Sequence, residues 1–209
     1  MQTQEAHLER RRQHTFARNR GSTLIEVLVA IVVLSIGLLG MVGLHAASLR
    51  NNRDVRLQST AVRLGVELAE RMRGNRIVAA DPDAGANPYL RSNLTALPGA
   101  TGTDCFAASC TTPLDVARWD MQEWLQRVFA VDAGLPGARV VVCFDRAPYD
   151  GDGLPRWSCT GSGDVAYVKL GWTRVSLGRP AAGTTALEHA TDAGSRPGVV
   201  LPVASDVPS

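Results

Sequence analysis

Hydrophobic and polar positions divide the chain sharply. A polar, arginine-bearing stretch ends at Gly21, and Val27 through Leu44 (VLVAIVVLSIGLLGMVGL) then forms an 18-residue run without a charge. Such a run spans ~27 Å at about 1.5 Å per residue, close to the ~30 Å hydrocarbon core of a bilayer. Extended back to Leu24 it is long enough to cross, and it then takes in Glu26. No proline occurs before Pro82. Leu57, Ala61, Leu64, Leu68 and Met72 step by four, three, four and four residues, one stripe of an amphipathic helix. Arg56, Arg63, Glu67, Glu70, Arg71 and Arg73 occupy much of the rest, with Glu67 and Arg71 as an i,i+4 pair. Gly74 followed by Asn75 is a stop signal. The pattern predicts one helix over 22–74, about 75 Å long by its rise per residue. Its first half, about 24–44, spans a membrane, and the stripe in its second half holds a globular domain.

Residues 75–209 read as that domain. Asp81 to Gly102 is rich in Pro, Gly, Ala and Asn and reads as an irregular connection. Thr112-Pro113-Leu114-Asp115 is a helix start: Thr as N-cap, Pro at the first position, Asp three residues after the cap. Leu114, Ala117, Met121, Trp124, Leu125 and Val128 then line one face. Gly134-Leu135-Pro136-Gly137 is a turn, and Arg139 to Asp145 (RVVVCFD) a strand. Ala166, Val168, Leu170 and Trp172 alternate with Tyr167, Lys169 and Thr173, a strand with one buried face. Asp150-Gly-Asp152-Gly is loop chemistry. Beyond Gly178 only Val199 to Val203 resembles a strand. The expected fold is α+β: the long helix packed on a small antiparallel sheet with one short extra helix and a flexible C-terminal tail.

Charge changes the picture little. The formal net charge is +2, but residues 1–21 carry five Arg against two Glu, and the remainder nets −1. Residues 75–209 net −3, with 11 basic and 14 acidic side chains. Capture of nucleic acid through phosphate contacts is therefore not expected. Four cysteines, all beyond the apolar run, point to disulfides in an oxidising periplasm. Cys105, Cys110, Cys143 and Cys159 permit three pairings, of which neighbour with neighbour is favoured. Closing the Cys143–Cys159 loop then contributes about 3 kcal/mol, and the shorter Cys105–Cys110 loop roughly 2. A zinc site is the competing reading, and the spacing lacks its C-x₂-C pair.

The order of segments at the N-terminus excludes an ordinary secretory signal. The basic segment ends in glycine before the apolar run rather than preceding a short run with a small-residue cleavage site after it. His45-Ala46-Ala47 is a poor fit to such a site. A plain anchor, held with its arginine-rich end in the cytoplasm by the positive-inside rule, accounts for everything except Glu26. A carboxylate in an apolar helix costs about 2.5–3.5 kcal/mol at the bilayer centre and less near its edge. No Lys or Arg lies between Thr23 and Leu49 to offset it. Cleavage after Gly21 would create a cation, the α-amino group of Ser22, for the carboxylate of an adjoining subunit.

Arg20-Gly21-Ser22-Thr23-Leu24-Ile25-Glu26-Val27 resembles the prepilin processing site of type IV pilins and type II secretion pseudopilins. The resemblance implies that a prepilin peptidase cuts after Gly21 and methylates Ser22, where the family usually has phenylalanine. It also implies that Glu26, at the fifth mature position, guides docking into a filament. Gly37, Gly40 and Gly43 lie in a stretch whose counterpart in pilins loses helicity within filaments, so residues 35–43 are the expected melting segment. The C-x₄-C spacing, the P-L-D…W…W-L helix, the L-P-G turn and two following strands resemble the PilV-type minor pilins over roughly residues 105–175. That implies a low-abundance subunit in the inner membrane, N-terminus inward before processing, later in a pilus at the cell surface. Its partners would be major and other minor pilins through the N-terminal helix, and a tip adhesin.

Other chemistry is weaker. Asp145, Asp150 and Asp152 are a D-x-D-G fragment without the rest of a calcium loop. After trimming, the histidines left are His45 and His189, neither placed for a nucleophile–base pair, so no catalytic residue, cofactor or metal is expected. A type II secretion pseudopilin is one alternative to the pilus subunit, and a membrane-anchored periplasmic binding module that never polymerises is the alternative from another class.

Overall fold

The computed structural model describes residues 23–100, 102, 104–175 and 187–203. The fold is α+β, as the patterning predicts. In chain order it comprises α1 (Leu24–Gly74), α2 (Arg76–Ala79), β1 (Arg91–Leu94), α3 (Pro113–Val128), β2 (Arg139–Phe144), β3 (Ala166–Gly171), β4 (Arg174–Val175), β5 (Leu187–Glu188) and β6 (Val199–Val203). The chain forms two compact units, Met1–Ser48 and Leu49–Ser209, and α1 contributes to both.

In the first unit every described side chain is exposed. α1 starts as Thr23 turns its carbonyl to the N–H groups of Glu26 and Val27, at 2.9 and 3.3 Å. It is the one helix among the described residues long and apolar enough to cross a membrane, by length and composition.

The second unit is built around an antiparallel sheet of order β1-β2-β3-β6. β2 and β3 pair from Arg139↔Gly171 to Phe144↔Ala166, and β3 and β6 from Ala166↔Val203 to Leu170↔Val199. Period-2 patterning puts Val140, Val142, Ala166, Val168 and Leu170 on one face, where they join a single core with α1 and α3. From α1 come Ala61, Leu64, Leu68 and Met72, all buried, with Leu57 packed at the margin. α3 begins as expected: Pro113 is in the first turn, and Thr112 Oγ1 accepts the N–H of Asp115 at 3.1 Å. Its Ala117, Met121, Trp124, Leu125 and Val128 are buried, and Leu114 is half-buried. The turn at 134–137 closes on Gly137, whose φ of +59° suits glycine.

Four expectations need correction. The segment Asp81–Gly102 is not all irregular, because β1 lies within it and pairs with β2 through an irregular register. Its sequence, Arg-Ser-Asn-Leu, has no strand patterning; pairing with the exposed edge of β2 makes it a strand. Second, β3 has two covered faces rather than one. Lys169 and Val141, on the face opposite the core, are both buried. The β2–β3 connection folds over them. Third, α1 stops at Gly74 as expected, but after Asn75 a further single turn, α2, follows that the pattern does not show. Asn75 Nδ2 donates to the Pro113 carbonyl at 2.6 Å, tying this corner to the start of α3. Fourth, the region beyond Gly178 contributes β5 as well as β6.

Candidate functional site

The N-terminal candidates divide at the edge of the described residues. Gly21 and Ser22, the expected processing site, lie outside them. Glu26 lies inside, in the first turn of α1, and among the described residues no cation pairs with it. Its position adds a second physical reason for a carboxylate there. The free N–H groups of the first turn and the helix dipole favour an anion by about 0.3–1 kcal/mol at an exposed site. That is smaller than the cost of a carboxylate deep in hydrocarbon, so an external cation is still needed once the segment is in a membrane. Around Glu26 the helix presents only apolar bulk: Leu24 and Ile25, then Val27, Leu28 and Val29. An added Cβ at Gly37, Gly40 or Gly43 would meet nothing within 4 Å. Nothing among the described residues uses the smallness of these three glycines.

The cysteines pair Cys105 with Cys110 and Cys143 with Cys159, with Cα separations of 5.2 and 6.3 Å. The second bridge ties the β2–β3 connection back onto β2. It lies beside an ion pair that sequence reasoning missed. Lys169 Nζ donates to Asp145 Oδ2 at 2.6 Å and to the Ser158 carbonyl at 2.8 Å, with both charged side chains wholly buried. Asp145 also accepts the backbone N–H groups of Ala147 and Thr160, at 3.0 and 3.2 Å. Burial pushes its carboxyl up, but the Lys169 bond and the two backbone bonds outweigh that and hold it below the usual carboxylate value. The signal available in sequence was only a lysine in an otherwise apolar strand.

Asp145, Asp150 and Asp152 are not drawn together as cation ligands. Asp145 is committed to Lys169. Asp150 pairs with Arg196 at 2.6 Å, and its other oxygen accepts the N–H groups of Asp152 and Leu154. Those backbone bonds to Leu154, ahead of Arg196, hold its carboxyl low. Cys143, Asp145 and Cys159 do place a possible ligand set within 4.8 Å. The two sulfurs are bonded to each other and the carboxylate to Lys169, so the donors are already used.

A polar network joins α3 to the second half of α1. Trp124 Nε1, fully buried, donates to the Leu64 carbonyl at 2.7 Å. Arg71 bridges Glu67 at 3.1 Å and Asp120 at 2.8 Å. Arg127 bonds both Glu67 and Glu123. Tyr89 Oη donates to Asp120 Oδ2 at 2.8 Å, and burial first, then this carboxylate, pushes the phenol well above its usual value. The i,i+4 pair Glu67–Arg71 is thus one edge of a contact between elements far apart in sequence. Its arrangement locks packing.

Residues 16–42 match the prokaryotic N-terminal methylation motif. No curated protein and no solved structure matches the chain significantly. The motif covers Arg18, Arg20, Gly21, Glu26 and most of the apolar run. It makes the chain type IV pilin-like at its N-terminus, with processing by a prepilin peptidase, assembly with other pilins and membrane anchoring as its implications.

Proposed function

We propose that the chain is a minor pilin of a bacterial type IV pilus, of the PilV type. In this reading it enters the inner membrane with Arg10–Arg20 on the cytoplasmic side, as the positive-inside rule directs. A prepilin peptidase cuts after Gly21 and methylates Ser22. Glu26 then meets the new terminal ammonium of a neighbouring subunit in an apolar medium, and the globular unit is carried to the cell surface. The protein acts by packing and not by catalysis. It initiates or primes assembly together with major and other minor pilins and a tip adhesin, and so serves twitching motility, adhesion or DNA uptake.

The observation that carries this reading is one carboxylate in the first turn of α1, whose apolar first half is wholly exposed, inside a stretch that matches the methylation motif. A globular protein would not leave Leu24 through Leu44 in water, and a plain anchor has no use for Glu26. The disulfides support an extracytoplasmic site for the second unit.

Mass spectrometry of the mature chain, recovered from membranes and from sheared surface fibres, tests the proposal. The expected N-terminus is a methylated Ser22 in both fractions. Recovery of the chain with residues 1–21 intact would refute it, as would absence from fibres of cells that export the chain normally.

A further inference from the structure

A groove of about 820 Å³ in the second unit is lined by β1, β2 and the β2–β3 connection. Arg91, Asn93 and Leu94 of β1, Arg139 and Phe144 of β2, Trp157 and the Cys143–Cys159 bridge form its walls. Two features mark it. The first is charge. Arg71, Arg73, Arg118, Arg127, Arg174 and Arg196 are all paired with carboxylates. Arg91 and Arg139, like Arg146 and Arg156, have no carboxylate partner among the described residues, but these two line one groove, and no acidic side chain lines it. In a domain of net −3 this is a local concentration of positive charge.

The two guanidiniums are held in place. Arg139 lies over the Trp157 ring, 4.4 Å from its centroid. Its Nε donates to Asn93 Oδ1 at 2.8 Å and its Nη1 to the Ala190 carbonyl at 3.2 Å. Arg91 gives one bond, from Nη1 to the Leu90 carbonyl at 2.9 Å. Most N–H donors of both groups are left without an acceptor among the described residues. Burial disfavours the charged form of each, the condition under which a counter-ion is most valuable.

The second feature is the strand edge. β1 stands at the end of the sheet order, so the side turned away from β2 has no strand beside it among the described residues. An unpaired edge offers backbone donors and acceptors to another extended chain. The Trp157 ring is covered by Arg139 and lies against Gly171, which leaves no open aromatic platform for a sugar. We propose that this groove binds an extended acidic peptide segment of a partner protein, added as a strand at the β1 edge with its carboxylates on Arg91 and Arg139. This inference does not depend on the filament reading.

The test uses the full chain in detergent and a fluorescent peptide of alternating Glu and Val, followed by anisotropy at low salt. Three competitors are compared with it: the same peptide with Gln for Glu, a version N-methylated along its backbone, and oligogalacturonate. The acidic peptide is expected to bind at least about tenfold more tightly than the Gln peptide, since charge-assisted bonds to guanidinium carry the recognition. N-methylation, which removes the donors of an added strand, should weaken binding to a similar extent. Arg91→Gln should lower affinity about tenfold with an unchanged melting temperature, and Arg91→Lys should restore part of it. Equal binding of the Glu and Gln peptides would overturn the proposal, and full binding of the N-methylated peptide would overturn strand addition. Tighter binding of oligogalacturonate would assign the groove to acidic sugars instead. The peptide comparisons need no altered protein, so they stand even if Arg91→Gln fails to fold.

Discussion

The two parts of α1 obey opposite rules. From Leu24 to Ser48 every side chain is exposed, and the lone charged residue, Glu26, has no partner among the described residues. From Ala61 to Met72 the same helix buries a stripe, and its charges at Glu67 and Arg71 are shared with α3. One part is satisfied inside the chain, while the other needs a bilayer and other subunits. Function in a protein of this kind is read from what the fold leaves unsatisfied, not from a cleft with convergent side chains.

The largest expected effect attacks that division directly. Glu26→Ala should remove the chain from the sheared-fibre fraction altogether while leaving its cleavage and the melting temperature of the globular unit unchanged. Fibre incorporation at the wild-type level would erase the distinction, because Glu26 would then be no more than a helix-start carboxylate.

The next effect falls on the self-contained part. Asp145→Ala leaves Lys169 charged and buried without its carboxylate, at a cost of about 3–5 kcal/mol, to be read by chemical denaturation. The same pair sets a pH dependence. Its carboxyl titrates below the ordinary 3.8 in the folded state, so its contribution is present above that value and is lost as the pH falls through the depressed one. The melting temperature should therefore hold down to about pH 4, and the Asp145 contribution should disappear only below it. A fall in stability centred near pH 6 would point to another group.

Smaller again is the difference between the two bridges. Replacing both Cys143 and Cys159 by Ser should lower stability by about 3 kcal/mol, and replacing Cys105 and Cys110 by roughly 2, since their sequence separations are 16 and 5. Equal losses would mean that strain or packing outweighs chain entropy.

The smallest effects compare glycines across the boundary. Alanine at Gly37, Gly40 and Gly43 meets nothing and should strengthen the helix by about 1 kcal/mol at each site. Alanine at Gly65 collides with the Leu201 side chain, so the same gain is offset and circular dichroism melts should move little. If residues 35–43 must lose helicity in a filament, the triple Gly→Ala chain should be processed normally yet incorporate poorly. Normal incorporation would show that those glycines serve another end.

Much of this was legible in the sequence because the signals are local. An uncharged run, an i, i+3, i+4 stripe and a Thr-Pro-x-Asp start each act over a few residues, and α1, α3, β2, β3 and β6 lie close to where they place them. β1 was illegible because Arg-Ser-Asn-Leu becomes a strand only when β2 supplies its hydrogen bonds. Lys169 read as a solvent-facing residue of an alternating strand. Its partner is 24 residues earlier in the chain, and only the folded β2–β3 connection brings the two together. The groove escaped notice for the same reason, since Arg91, Arg139 and Trp157 come from three separate segments.

By itself the sequence determined the apolar segment, its single acid and the helix that carries them, because membrane length, charge cost and helical period are properties of neighbouring residues. It also placed the cysteines beyond the apolar run. The tertiary structure alone decided which charges are neutralised inside the protein and which are left free. A carboxylate or guanidinium is satisfied by whatever stands within about 3 Å of it, and distance along the chain says little about distance in space.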